Sequence, residues 1–189
     1  MITQNNSPLT PTAAATFVWL VILTLAGLGG SLVISCVTPF VALAVALAGT
    51  VRLTVALRAM TAIWLTNQLI GFGFLNFPRT PNSILWGVAS GGAALLSTLI
   101  VSRVIKRAPS WPMLVRLGLA LLLGFAVYEA THFVAALFLG GLETFSLRII
   151  AHLGLVNLAW LAGLLALNEL VSIKCKPWLG TTPRLAKAS

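Results

Sequence analysis

Residues 84–105 read ILWGVASGGAALLSTLIVSRVI, with Arg103 the one charged residue among them. An α-helix needs about 20 apolar residues to cross the hydrocarbon of a bilayer, and this run reaches that length. It stops at Lys106-Arg107-Ala108-Pro109-Ser110-Trp111-Pro112, whose cations and prolines make a loop. Downstream, a second run lies within Met113–Leu139 and is closed by Gly140-Gly141, and a third covers about Leu147–Ile173. Upstream, Phe17–Ser35 is free of charge and holds Gly27, Gly29 and Gly30. Cys36-Val37-Thr38-Pro39 interrupts it, and proline suits the first turn of a new helix. The run that follows, Pro39–Gly49, is too short to span unaided; it must tilt, lie buried in a bundle or thin the bilayer. A further run, flanked at its start by Arg52 and Arg58, ends near Gly71. Gly71 to Ser83 is rich in turn formers and in interfacial aromatics.

Composition agrees. Of 189 residues, 59% are hydrophobic and 8% are charged, against about 25% charged in a soluble domain. That excludes an ordinary cytosolic enzyme and a disordered chain. The fold class is therefore all-α integral membrane: a six-helix transmembrane bundle with a short second helix and no internal repeat. It is organised as an N-terminal tail 1–16, a membrane domain 17–173 and a basic tail 174–189. The first tail has no Lys or Arg, so it lacks the charged start of a cleaved signal peptide, and the first run is expected to remain as a helix.

Twelve Lys and Arg against three acids, all of them Glu, give a net charge of +9. The cations sit in the gaps between apolar runs, which marks orientation rather than nucleic-acid binding. With the C-terminal tail in the cytoplasm, six spans gather Arg52, Arg58, Arg103, Lys106, Arg107, Arg116, Lys174, Lys176, Arg184 and Lys187 inside, and leave only Arg79 and Arg148 outside. Both termini are then cytoplasmic.

This orientation assigns a depth to each polar residue. Cys36 falls in the outer 1–2 turn, and Asn67 and Gln68 near the outer end of helix three. Asn76, Arg79, Asn82 and Ser83 fall in the 3–4 loop, with Trp86 just after it. Tyr128, Glu129 and His132 lie in the outer half of helix five, Glu143 and Arg148 in the 5–6 loop, and His152 one turn into helix six. Ionisable groups in the apolar zone cost roughly 2.5–3.5 kcal/mol each and usually face a cavity or the bundle interior. Glu129 and His132, three apart, share a helix face. Together these positions outline a polar, outward-open pocket. Competing roles stand beside it: Asn67 and Gln68 as interhelical hydrogen bonds, Glu129 with His132 as a self-contained pair, His152 at headgroup level, and Arg79 and Arg148 as interfacial anchors.

Motifs for chemistry are sparse. Glu129-x-x-His132 is half of a carboxylate-bridged dimetal pattern, and the chain has too few carboxylates for the rest. No phosphate-binding loop is present. Thiolate and imidazole suit soft and borderline metals, so Cys36, His132 and His152, at similar depth, are candidate ligands of one metal. Cys175, between Lys174 and Lys176, is a reduced or lipidated juxtamembrane cysteine.

The segment TPFVALAVALAGTVRLTVALRAMTAIWLTNQLIG, Thr38 through Gly71, set in this six-helix layout, resembles the S component of energy-coupling-factor (ECF) vitamin transporters. The resemblance implies a subunit of the bacterial cytoplasmic membrane that captures a vitamin at its outer face. It implies an ECF-type coupling subunit and two ATPases as partners, with surrounding lipid and no nucleic acid, and it leaves open incidental chemistry on a cobalt-bound ligand. In that family docking uses an Ala-x-x-x-Ala face on helix one, where this chain has Ala26-x-x-x-Gly30. Some solitary members take up cobalamin. By analogy a bound corrinoid would be the substrate, its cobalt held by Cys36 with His132 or His152, and the pocket would be completed by Asn67, Gln68, Asn76, Arg79, Asn82, Trp86, Tyr128, Glu129, Glu143 and Arg148. Other readings are a structural or assembly subunit of a larger membrane complex, a small membrane enzyme using Cys36 and the histidines, and a metal permease, which the apolar inner half disfavours. The corrinoid reading expects Cys36→Ala to weaken cobalamin binding by the purified protein; unchanged binding overturns it.

Overall fold

The computed structural model describes residues 12–33 and 38–174. Cys36, Cys175 and most of the basic tail, all named above, lie outside these residues. The described residues form six α-helices, one 3-10 turn and no strand. The helices are α1 (Ala13–Val33), α2 (Phe40–Thr50), α3 (Leu53–Gly73), α4 (Pro81–Arg107), α5 (Met113–Leu139) and α6 (Leu147–Lys174), with the 3-10 turn at Leu142–Thr144 before α6. Among them α4, α5 and α6 are long and apolar enough to cross a membrane.

Local chemistry sets the helix ends. Thr12 caps α1, its Oγ1 accepting from the Ala15 amide at 3.2 Å, so this helix begins at Ala13 rather than Phe17. Thr80 caps α4 in the same way, accepting from the Ser83 amide at 3.2 Å, and Pro81 takes the first helical position. Asn82 and Ser83 therefore sit in the first turn of α4 and not in the loop before it. Likewise Arg148 belongs to the first turn of α6 rather than to the 5–6 loop. At the end of α5 the chain turns through Gly140 (φ 82°) and Gly141 (φ 95°), a left-handed path open to glycine at little steric cost.

The short second helix lies at the centre. Phe40 is 3% exposed and every residue from Val41 to Leu47 is 0% exposed. At 1.5 Å per residue α2 is about 16 Å long, half the thickness of a bilayer core of about 30 Å. Of the three ways to accommodate so short a run, burial is the one adopted. α4, α6, α5, α3 and α1 all pack against it. Ala42, Ala44 and Ala46 are thereby spent inside the molecule, where small side chains let the surrounding helices approach closely.

Neighbouring helices run antiparallel, as three cross-contacts record. The Trp19 indole N–H donates to Thr50 Oγ1 at 3.1 Å, joining the start of α1 to the end of α2. The Trp64 indole donates to the Gly87 carbonyl at 2.9 Å, joining α3 to α4. Ser97 Oγ donates to the Gly124 carbonyl at 3.0 Å, joining α4 to α5. Arg52, Arg58, Arg103, Lys106, Arg107 and Arg116 consequently gather at one end of the bundle, with Arg79 and Arg148 at the other. The outward surface is apolar: Leu114, Leu122, Phe138 and Leu155 are exposed, whereas Ser97, Thr98, Asn157 and Asn168 are buried. That inversion suits a hydrocarbon surrounding.

A close crossing lies at Gly124. A Cβ there would lie 2.6 Å from Val101 Cγ2 and 3.1 Å from Val41 Cγ1, and β-branched neighbours give way poorly. Gly124→Ala is expected to destabilise the fold by about 1–3 kcal/mol. Adding Val101→Ala should recover a large part of the loss, as read from thermal unfolding in detergent.

Candidate functional site

The end of the bundle that carries few cations opens into a cavity of about 400 Å³. Helical periodicity explains how its walls form. On α3, Asn67, Gln68, Gly71 and Phe72 share one face. On α4, Ser83, Trp86, Gly87 and Ser90 follow the i, i+3, i+4, i+7 pattern. On α5, Tyr128 and Glu129 lie four and three residues before His132 on one face, and on α6 the wall is Ile149, Leu153 and Asn157. Thr38 and Phe40 contribute from the start of α2, Leu75 and Phe77 from the 3–4 connection, and Thr144 and Phe145 from the 5–6 connection.

The floor is the N-terminal end of α2. Pro39, in the cap position, has no side-chain acceptor for the orphan amides of the first turn. Asn157 replaces it from α6: its Oδ1 accepts from the Ala42 amide at 3.1 Å, while its Nδ2 donates to the Leu153 carbonyl at 3.0 Å. Beside it, Thr38 Oγ1 donates to Asn67 Oδ1 at 3.0 Å, tying the chain before α2 to α3. Asn67 thus serves as an interhelical hydrogen bond and lines the cavity as well.

One wall is aromatic. Tyr128 lies 4.3 Å from His132 between ring centroids and 6.3 Å from Phe40. Trp86 stacks on His132 across α4 and α5, 6.1 Å between centroids with 17° between planes. A second pair in the lining, Phe72 with Phe77, meets edge to face at 6.0 Å. This pair depends on Gly71, where a Cβ would meet the Phe77 ring at 2.6 Å.

His132 Nδ1 lies 2.9 Å from the Tyr128 carbonyl oxygen. A carbonyl only accepts, so Nδ1 carries a proton, and in the neutral ring Nε2 is left as an acceptor. No described residue forms a hydrogen bond or ion pair with the Glu129 carboxylate, so Glu129 and His132 share a face without forming a self-contained pair. Among the described lining residues Glu129 is the only acid, and there is no Lys or Arg.

Of the residues named from sequence, the cavity brings together Asn67, Gln68, Ser83, Trp86, Tyr128, Glu129 and His132. Asn76 lies exposed in the 3–4 connection at φ 52°. Arg79, also exposed, donates from Nη2 to the Phe72 carbonyl at 3.3 Å, placing a cation at the C-terminal end of α3. Asn82, Glu143, Arg148 and His152 are exposed and do not line the cavity. The three candidate cobalt ligands are therefore not gathered among the described residues: His132 lines the cavity, His152 faces outward, and Cys36 lies outside those residues.

Sequence reasoning missed Thr38, Phe40, Ser90, Phe145 and Asn157 in this wall. A signal existed for two of them. The Ser83-x-x-Trp86-Gly87-x-x-Ser90 stripe places two serines on one helical face, and Asn157 is one of two amides in an apolar run, with Asn168.

No protein-family model, curated protein or solved structure matches the chain. The geometry of the cavity therefore carries the functional argument.

Gln68 owes its position to Gly87, where a Cβ would come within 2.5 Å of Gln68 Oε1. Gly87→Ala is expected to swing the Gln68 amide away, weakening capture of a cavity ligand by about tenfold while changing stability by less than about 1 kcal/mol. Titration calorimetry and thermal unfolding on the same sample check both.

Proposed function

We propose that this protein is a substrate-capturing subunit of a bacterial cytoplasmic membrane, crossing it with both termini inside and taking up a vitamin-sized molecule from the outer side. The observation that carries the reading is the cavity: five helices converge on it, at the end of the bundle remote from most of the cations. Its volume falls in the range of small-molecule sites, about 300–1,000 Å³, and its lining has the usual form of apolar and aromatic walls with a few convergent polar groups. The cation asymmetry supports a cytoplasmic location for the opposite end. Energy coupling would come from an ECF-type partner, by the resemblance noted above. The small residues of α2 are buried and cannot supply a docking face, which leaves Ala26 on α1, half-exposed, as the described part of one.

A corrinoid remains one candidate substrate, with His132 Nε2 the cavity group available to cobalt. Native mass spectrometry and absorbance of the purified full-length protein test the reading. The expected result is a small molecule bound one to one and lost in Trp86→Ala. A ligand-free wild type whose melting temperature is unmoved by any of the water-soluble vitamins overturns it.

A further inference from the structure

Resting on the capture reading, we infer that the ligand is a small planar heteroaromatic cation, held between the Trp86–His132–Tyr128 wall and the Phe72–Phe77 pair with its positive charge toward Glu129. Three observations converge. The first is the aromatic enclosure: rings from α2, α3, α4, α5 and both connections present faces and edges to one space. Flat π-faces complement a flat ring, and their quadrupoles attract a cation within about 6 Å of a ring centroid.

The second is charge. Glu129 is the single acid among the described lining residues, no Lys or Arg joins it, and no described residue pairs with its carboxylate. A carboxylate inside an apolar bundle needs a counter-charge, and a cationic ligand supplies one that the protein does not. An anionic ligand would meet the opposite situation, a carboxylate with no basic side chain to balance it.

The third is the arrangement of hydrogen-bonding groups. Gln68 offers an amide donor and acceptor from α3, held against Gly87. His132, with Nδ1 committed to the Tyr128 carbonyl, offers Nε2 as an acceptor from α5. These polar groups converge from two helices on the edge of whatever lies between the rings. They match a nitrogen heterocycle bearing N–H donors and a ring acceptor better than an aliphatic chain. The half-helix N-terminus at the floor is already occupied by Asn157 at Ala42, so it does not redirect the site toward an anion.

The test uses the full-length protein in detergent and three matched probes of the same shape: N-methylquinolinium as the cation, quinoline at pH 8 as the neutral isostere, and 1-naphthoate as the anion. Binding is followed by calorimetry and by quenching of tryptophan fluorescence. N-methylquinolinium is expected to bind at least about tenfold more tightly than quinoline. Glu129→Gln should erase that preference, so that cation and neutral isostere bind alike, and Glu129→Asp should keep part of it, which separates charge from folding. Equal or tighter binding of quinoline or 1-naphthoate overturns the proposal, as does a preference that survives Glu129→Gln. If those probes bind and Trp86→Ala abolishes their binding, capture stands and only the cationic assignment falls. If no probe binds and no molecule co-purifies, both fall.

Discussion

An 11-residue apolar helix is too short to cross a bilayer and too hydrophobic to leave one, and this conflict organises the molecule. The environment that α2 adopts is the inside of the bundle, where Val41 to Leu47 are all fully buried. Longer helices must then surround it, and the space they enclose beyond its end is filled neither by α2 nor by their own side chains. The cavity is the space that the longer helices enclose beyond the N-terminal end of α2. Its floor, its depth and its position at one end all follow from the length of that one helix.

The walls follow from the same constraint. Helices that pack around a slender alanine-rich core must approach closely, and Gly124, where α5 meets Val101 of α4 and Val41 of α2, and the buried Ala94 and Ala120 allow it. Where α2 ends, glycine serves a second purpose: Gly87 and Gly71 admit a neighbouring polar or aromatic side chain in place of their own Cβ. One residue type thus packs the lower half of the bundle and shapes the pocket in the upper half.

Much of this is legible in the amino-acid sequence itself. The long runs are evident because hydrocarbon tolerates no ambiguity about length and charge; α5 begins and ends at the residues where the apolar run does. The helix starts were less legible, since they depend on single caps such as Thr12 and Thr80 that lie outside the apolar pattern. Charge marked Glu129 and His132, and the ring of Trp86 marked α4. The exposed Arg79, Arg148 and His152 share the depth of the cavity but face away from it, because depth along a helix can be inferred from sequence whereas azimuth around it depends on partners. Asn157 escaped notice for a related reason. Its role as a cap for α2 requires knowing that two helices far apart in sequence are neighbours.

That last bond has a consequence for biogenesis. The Ala42 amide and the Asn157 side chain are separated by 115 positions, and at about 5–20 residues per second of synthesis the acceptor arrives roughly 6–20 seconds after the donor. Throughout that interval the first turn of the most buried helix lacks the partner that satisfies it. The second helix to be made is therefore finished by the last one, and the nascent chain must hold α2 in a provisional setting until α6 emerges to lock it in place.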